Sequence, residues 1–398
     1  MIQKYFILCW VQRYSLLWYF RCMAGLYIHI PYCKQKCHYC DFHFSTFLHT
    51  KTDFLQALHK EIVFQKDYLL GESIQTIYLG GGTPSLLDKE AINKVMDSID
   101  RNFNIASKAE ITLEANPDDL TSLKVKDLKQ TAINRFSIGV QSFQDADLQF
   151  MNRAHSASEA MSSIKRVQDA GWENISMDLI YGTPTLSDSA WNENLTTFTA
   201  LQVPHLSAYA LTVEENTALH HFIEHKKCPP VEEEKSARHF LQLMETLPKS
   251  NFIQYEISNF GKENYFSKHN SNYWKREKYL GLGPSAHSYN GIERHWNVSN
   301  NAKYIIEIGK GIVPAEKETL HPQQNYNDYL LTNLRTIWGV NTDFVKNAFL
   351  GHFYDFLIDN CQKWIESGHI LQENELLTLS QKGKLMADGI AQDLFWVD

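Results

Sequence analysis

Much that commonly marks a chain's role is missing here. There is no long run of Lys or Arg, and 46 acidic residues outnumber 38 basic ones, for a net charge of −8. That balance argues against a nucleic-acid-binding surface. No stretch is apolar over the roughly 20 residues that a spanning helix needs. Cysteine is sparse and odd in number, seven in 398 residues. No cleavable secretory pattern precedes it, so a disulfide framework is not expected and the protein reads as cytoplasmic. No Gly-x-Gly-x-x-Gly fingerprint follows the first strand-like segment, which counts against a dinucleotide-binding fold. Repeats and low-complexity segments are absent as well. What remains is ordinary globular material, 43% hydrophobic and 21% charged, enough for two or three domains. Aromatics are plentiful at 13%, which suits either a planar ligand or a large core.

The first 22 residues stand apart. Tyr5 to Phe20 is aromatic and apolar, with Arg13 inside it and Lys4 and Arg21 at its flanks. It is too short and too polar for a spanning helix. Met23 is the expected true start, and residues 1–22 an extension; a membrane-surface anchor is the alternative. Cys9 and Cys22 fall in this stretch and receive no role.

Three cysteines crowd one loop: Cys33, Cys37 and Cys40, within Cys33-Lys34-Gln35-Lys36-Cys37-His38-Tyr39-Cys40. A cubane 4Fe–4S cluster usually takes four thiolates. Three would leave one iron open to a small molecule. The competing reading is a zinc site completed by His38 or His43.

From Leu26 a strand–helix alternation repeats six times. Strands are expected at 26–31, 73–79, 109–114, 135–140, 174–179 and 205–211, with helices at 53–68, 89–101, 122–131, 158–170 and 189–200. Such alternation predicts parallel strands with outer helices. The fold class is α/β, a partial (β/α)6 barrel, with its chemistry at the C-terminal strand ends. A helix from Glu232 to Leu247 and a strand at 252–257 follow. Residues 260–300 read as loop. A composition shift near His321-Pro322 opens a mainly helical, winged-helix-like region with a hairpin at 370–379. The expected division is 23–250 barrel, 251–320 connecting region and 321–398 C-terminal domain.

Strand ends carry the polar candidates. Gly80-Gly81-Gly82-Thr83-Pro84 would let main-chain groups approach a ligand closely. Glu114, Gln141 and Asp178 each end a strand, and Arg153 follows on the next connection; together they could hold ribose hydroxyls and a carboxylate. Ordinary helix capping would explain any one of them equally well. In His269-Asn270-Ser271-Asn272-Tyr273-Trp274, His269 and Tyr273 are candidate heme-iron ligands, and the aromatics suit a porphyrin face. A solvated loop packed on the barrel is the plainer alternative. His221, His225, His287 and His295 are weaker candidates, and Cys228-Pro229 reads as a loop cysteine.

Taken together, these segments are highly specific. From Leu26 to about residue 390 the chain resembles the oxygen-independent coproporphyrinogen III oxidase family of radical S-adenosylmethionine (SAM) proteins. Tyr27–Cys33, the cysteine loop, Gly80–Pro84, Gly139–Phe143, Met151-Asn152-Arg153, Asp178–Gly182 and Leu280–Ser288 carry the likeness. The resemblance implies a 4Fe–4S cluster on Cys33, Cys37 and Cys40. It implies SAM contacts from Tyr27, Tyr39, Gly81, Gly82, Thr83, Glu114, Gln141, Arg153 and Asp178, with Ala210 a less certain one. The family's oxidases carry a further cysteine two residues after the third ligand, where this chain has Phe42. Its HemW-type heme-chaperone branch shares that difference and an H-N-x-x-Y-W motif. The resemblance therefore implies a chaperone that binds heme and passes it to an acceptor protein, such as a membrane respiratory enzyme. The alternative is oxidative decarboxylation of coproporphyrinogen III. Nucleic acid is not an expected partner, and a dimer is compatible with the sequence.

Overall fold

The computed structural model describes residues 23–397. The expected start at Met23, the 1–22 extension, and Cys9 and Cys22 concern residues outside those described.

Six strands run parallel: β1 (Met23–Ile30), β2 (Ser73–Gly81), β3 (Ile105–Ala115), β4 (Arg135–Gln141), β5 (Ile175–Tyr181) and β6 (His205–Ala210). They pair in chain order. Most of their residues are buried on both faces, as in helix-covered parallel strands; in β1, Ala24, Leu26, Ile28 and Ile30 are buried on one face and Gly25 and His29 on the other. Most of the intervening helices begin on side-chain caps. Asp88 accepts from the Ala91 amide, Ser156 from Glu159 in a full capping box, and Ser187 from Ala190.

After the helix Glu233–Thr246 come β7 (Ile253–Glu256) and β8 (Asn259–Gly261), antiparallel to each other; β8 also pairs antiparallel with β6. The loop expected over 260–300 is a correction. It contains a helix, Lys268–Trp274, and three strands, β9 (Lys278–Leu282), β10 (His287–Tyr289) and β11 (Glu293–Asn297). β9 pairs parallel with β1, Ala24 opposite Lys278 through Ile28 opposite Leu282. With β12 (Ala315–Thr319) the sheet reaches twelve strands. Gly281 admits the neighbouring chain: a Cβ there would lie 2.1 Å from the His287 carbonyl oxygen.

The C-terminal region packs a second apolar cluster from Tyr326 to Leu394. It holds the helices Pro322–Leu334, Thr342–Ala348 and Gly351–Glu366 and a three-stranded sheet of β13 (Val340–Asn341), β14 (Ile370–Glu373) and β15 (Leu376–Leu379). The hairpin was expected; β13, two residues long, was not. This region joins the barrel by main-chain bonds, Ile257 N–H to Arg335 O at 3.0 Å and Ile337 N–H to Tyr255 O at 3.1 Å. Among the described residues, no helix is long and apolar enough to cross a membrane.

Glu61 ties the closing elements together. Fully buried on the helix Lys51–Phe64, it accepts from Gly283 N–H at 2.7 Å, Asn297 Nδ2 at 2.6 Å and Tyr304 O–H at 2.6 Å. Burial pushes its pKa up, and the three donors oppose that rise. Glu61→Ala strands three buried donors and should destabilise the fold by roughly 3 kcal/mol or more. Glu61→Gln, which keeps an acceptor, should cost clearly less. Denaturant midpoints of the two variants check the ranking.

Candidate functional site

At the C-terminal edge of the parallel strands lies a cavity of about 710 Å³. Its wall includes Cys33, Cys37, Cys40, Tyr39, Gly81, Gly82, Thr83, Glu114, Gln141, Arg153, Asp178 and Ala210. Twelve of the thirteen residues from which the sequence expected a cluster or SAM contact thus share one wall. Tyr27 is the exception. It lines a neighbouring cavity and bonds His29 Nδ1 through its hydroxyl at 3.2 Å.

Local structure explains these placements. The cysteine loop leaves β1 and is pinned at both ends, by Cys33 N–H to Ser45 O at 3.1 Å and His38 N–H to Met151 O at 3.1 Å. Gly82 sits where the loop folds back over β2. A Cβ there would come within 2.7 Å of Tyr32 O and 2.8 Å of Ile30 O, so a side chain would displace the loop. Gln141 ends β4 in a left-handed conformation, φ 68°, beside a register shift against β5. That irregularity re-aims the strand end, as bulges beside functional sites do.

Arg153 is the hub. Its Nη2 donates to Asn116 Oδ1 at 2.7 Å and Gly139 O at 2.8 Å, and its Nη1 to Cys37 Sγ at 3.3 Å. Its Nε is buried without a hydrogen-bond partner among the described residues. Asn152, also left-handed at φ 55°, donates to Lys36 O at 2.7 Å. Thr83 O–H points at Cys33 Sγ, 3.4 Å away. Burial raises the Cys33 thiol to about 11 and the Cys40 thiol to about 12. Both are protonated, and neither is a reactive thiolate on its own. Glu114 accepts from Tyr78 O–H at 2.8 Å and Gly81 N–H at 3.1 Å, and burial pushes it up to about 7. Burial likewise lifts Asp178 to about 6.

The zinc alternative finds no support in this arrangement. Among the described residues, no three His, Cys, Asp or Glu side chains are close enough to hold one ion, which is what a single tetrahedral zinc demands. His38 turns away, its Nδ1 donating to Phe150 O at 2.9 Å.

A second cavity of about 610 Å³ shares Asp41 and Phe42 with the first. Tyr27, Tyr273, Trp274, Tyr279 and Tyr289 supply aromatic wall, and Arg276 and Arg294 supply positive charge. Arg294 is paired with Asp328. Arg276 bonds only neutral groups among the described residues: Asn325 O at 2.9 Å, Asn325 Oδ1 at 2.6 Å and Tyr289 O–H at 3.1 Å. Of the two expected heme ligands, Tyr273 is on this wall and His269 is not. His269 is 2% exposed, and its nitrogens are bonded to Thr76 Oγ1 and Tyr273 O–H, each at 2.8 Å. Burial lowers its pKa to about 3. It braces the wall from behind. Sequence reasoning passed over Tyr78, Asn116 and Arg276; Asn116, in the strand-end run Ala-Asn-Pro, was the one carrying a visible signal.

The description Radical SAM superfamily matches residues 27–197. The heme chaperone HemW of Bacillus subtilis is 33% identical over 373 residues, covering 92% of this chain and 98% of that protein. HemW of Escherichia coli is 37% identical over 268 residues, 66% of this chain and 69% of that one. Among solved structures, the coproporphyrinogen III oxidase HemN of Escherichia coli, a radical SAM enzyme, superposes with a TM-score of 0.81. It covers 94% of this chain and 90% of its own at 19% identity, a likeness of fold.

Arg153→Ala removes the donor from Asn116 Oδ1 and the Gly139 carbonyl and frees the cysteine loop. Amide hydrogen exchange across residues 35–41 should accelerate at least about tenfold, equivalent to loss of about 1.4 kcal/mol of local stability.

Proposed function

The chain belongs to the HemW family of radical SAM proteins, and from that premise we propose that it is a heme chaperone that holds a SAM-coordinated 4Fe–4S cluster in the strand-end cavity, holds heme in the adjoining aromatic one, and passes the heme to an acceptor protein. One observation carries the reading: a wall of three cysteines and SAM-suited polar groups meets an aromatic, arginine-bearing cavity across Asp41 and Phe42.

The residues suit the cluster. Cys33, Cys37 and Cys40 are free, partly exposed thiols around one cavity. Donors already face two of the sulfurs, Thr83 O–H at Cys33 and an Arg153 N–H at Cys37, and hydrogen bonds to sulfur tune such clusters. When bound, a three-thiolate cluster offers an open iron that chelates the amino and carboxylate groups of SAM and can pass an electron to its sulfonium. The protein's part is positioning. Glu114 and Asp178 provide acceptors for hydroxyl or ammonium groups, Gln141 an amide, and the Gly81–Gly82 backbone a close approach.

The second cavity suits a flat dicarboxylic macrocycle. Its volume lies within the usual range for ligand sites. Aromatic rings offer apolar faces, and Arg276, with no carboxylate partner among the described residues, can meet a propionate.

Hemin titration and transfer to an acceptor apoprotein test the whole. A Soret shift followed by transfer supports it. Anaerobic conversion of coproporphyrinogen III to protoporphyrinogen IX would overturn it in favour of an oxidase. Cys33→Ser, Cys37→Ser and Cys40→Ser should each abolish the brown cluster absorbance after anaerobic reconstitution, whereas Cys361→Ser, buried in the distal apolar cluster, should retain it. SAM affinity should fall as pH drops through about 7, because protonation of Glu114 removes negative charge and acceptor capacity facing a cationic ligand. Equilibrium binding at pH 8 and pH 6 measures this, and Glu114→Gln should flatten the dependence.

A further inference from the structure

Three histidines line the aromatic cavity, and they differ in what their ring nitrogens already do. His29 Nε2 donates to the His43 carbonyl oxygen at 2.8 Å, and its Nδ1 accepts the Tyr27 hydroxyl at 3.2 Å. Both nitrogens are committed. His43 bonds Asn301 Oδ1 through Nε2 at 2.7 Å. His287 is different. At the start of β10 its side chain is exposed, and neither ring nitrogen has a hydrogen-bond partner among the described residues. Its ring lies 6.4 Å from that of Trp296 on β11, nearly parallel to it. A neutral imidazole with an uncommitted nitrogen is what a metal ion requires of histidine.

The backbone carrying His287 is fixed more firmly than its short strand suggests. Gly281 N–H donates to Ser288 Oγ at 2.9 Å, and Asn297 N–H to Ala286 O at 2.9 Å. The buried Glu61 carboxylate grips both Gly283 and Asn297, on either side of the segment. A ligand side chain on a braced backbone, facing a ligand-sized cavity, is the arrangement of a prepared coordination position.

Resting on the reading that this cavity takes heme, we propose that His287, rather than His269, is the axial ligand through which the protein holds the heme iron. His269 would have to surrender two buried hydrogen bonds and leave its place behind the wall; His287 has nothing to surrender. The ligand belongs to the Gly-Pro-Ser-Ala-His run before β10, and His269 to the scaffold that sets the position of Tyr273.

Hemin titration of the full chain decides the matter, read by Soret position, ferric spin state and affinity. Wild type should show histidine ligation. His287→Ala should lose that signature and bind at least about tenfold more weakly, and free imidazole should restore the spectrum, which a folding defect would not allow. His287→Met should shift the spectrum to thioether ligation. His59→Ala, outside both cavities, should match wild type. A wild-type spectrum in His287→Ala overturns the assignment, as does loss of the signature in His269→Gln with His287→Ala unaffected. Absence of any Soret change in the wild-type protein would instead overturn the heme-binding reading itself.

Discussion

One guanidinium holds the strand-end architecture in register. Arg153 reaches the residue after β3, the carbonyl of Gly139 within β4 and the sulfur of Cys37 on the loop after β1. Three segments distant in sequence meet at one planar, permanently charged group. The fork geometry matters, because a lysine could not serve three directions at fixed angles. The neighbouring Asn152 adds a bond to Lys36 O, so the Met-Asn-Arg run works as a clamp on the cysteine loop. Without that clamp the loop would carry its thiols on a flexible tether. With it, they stand around a cavity whose polar groups arrive independently from β3, β4 and β5.

The parallel barrel was legible because its strands are mostly buried on both faces and most of the helices between them announce their start with a side-chain cap. Mainly apolar runs at 26–30, 135–140 and 175–181 leave few alternatives. The region 260–300 was not, for two physical reasons. His269-Asn270-Ser271-Asn272 consists of poor helix formers, and it becomes helical through the Ser267 cap and burial against Thr76 and Glu110. β9 is five residues long with a glycine at its fourth position, and its pairing with β1 and β10, both remote from any local pattern, makes it a strand. The site divided along the same line. Strand-end residues were readable because topology alone gathers them. The aromatic cavity draws on β1, the cysteine loop, β9, β10, β11 and the helix Pro322–Leu334 at once, and no local pattern announces that convergence. Sequence alone ranked His269 above His287; in the structure His269 is a bonded core residue, and the His287 ring faces the cavity.

The two cavities adjoin through the residues that immediately follow the third cysteine. Phe42 is 67% exposed and lines both. The C-terminal region contributes to this setting, since Arg335, Lys384 and Met386 border the strand-end cavity from the far side. Arg335 also links Glu256 to Asp388, at 3.3 and 2.8 Å, so the mouth is framed by both apolar clusters rather than by the barrel alone.

The pairing of β1 with β9 bears on how the molecule is made. On a ribosome, the N-terminal strand emerges first and finds β2 early, yet its other edge stays bare until Leu282 has been synthesised. Throughout that interval a largely apolar strand presents unsatisfied amides and carbonyls, the kind of edge that invites intermolecular pairing. Long-range closure of this sort is intrinsically slow. The nascent chain therefore passes through an extended, association-prone phase in which shielding by folding helpers matters most, and any truncation before residue 278 leaves that phase permanent.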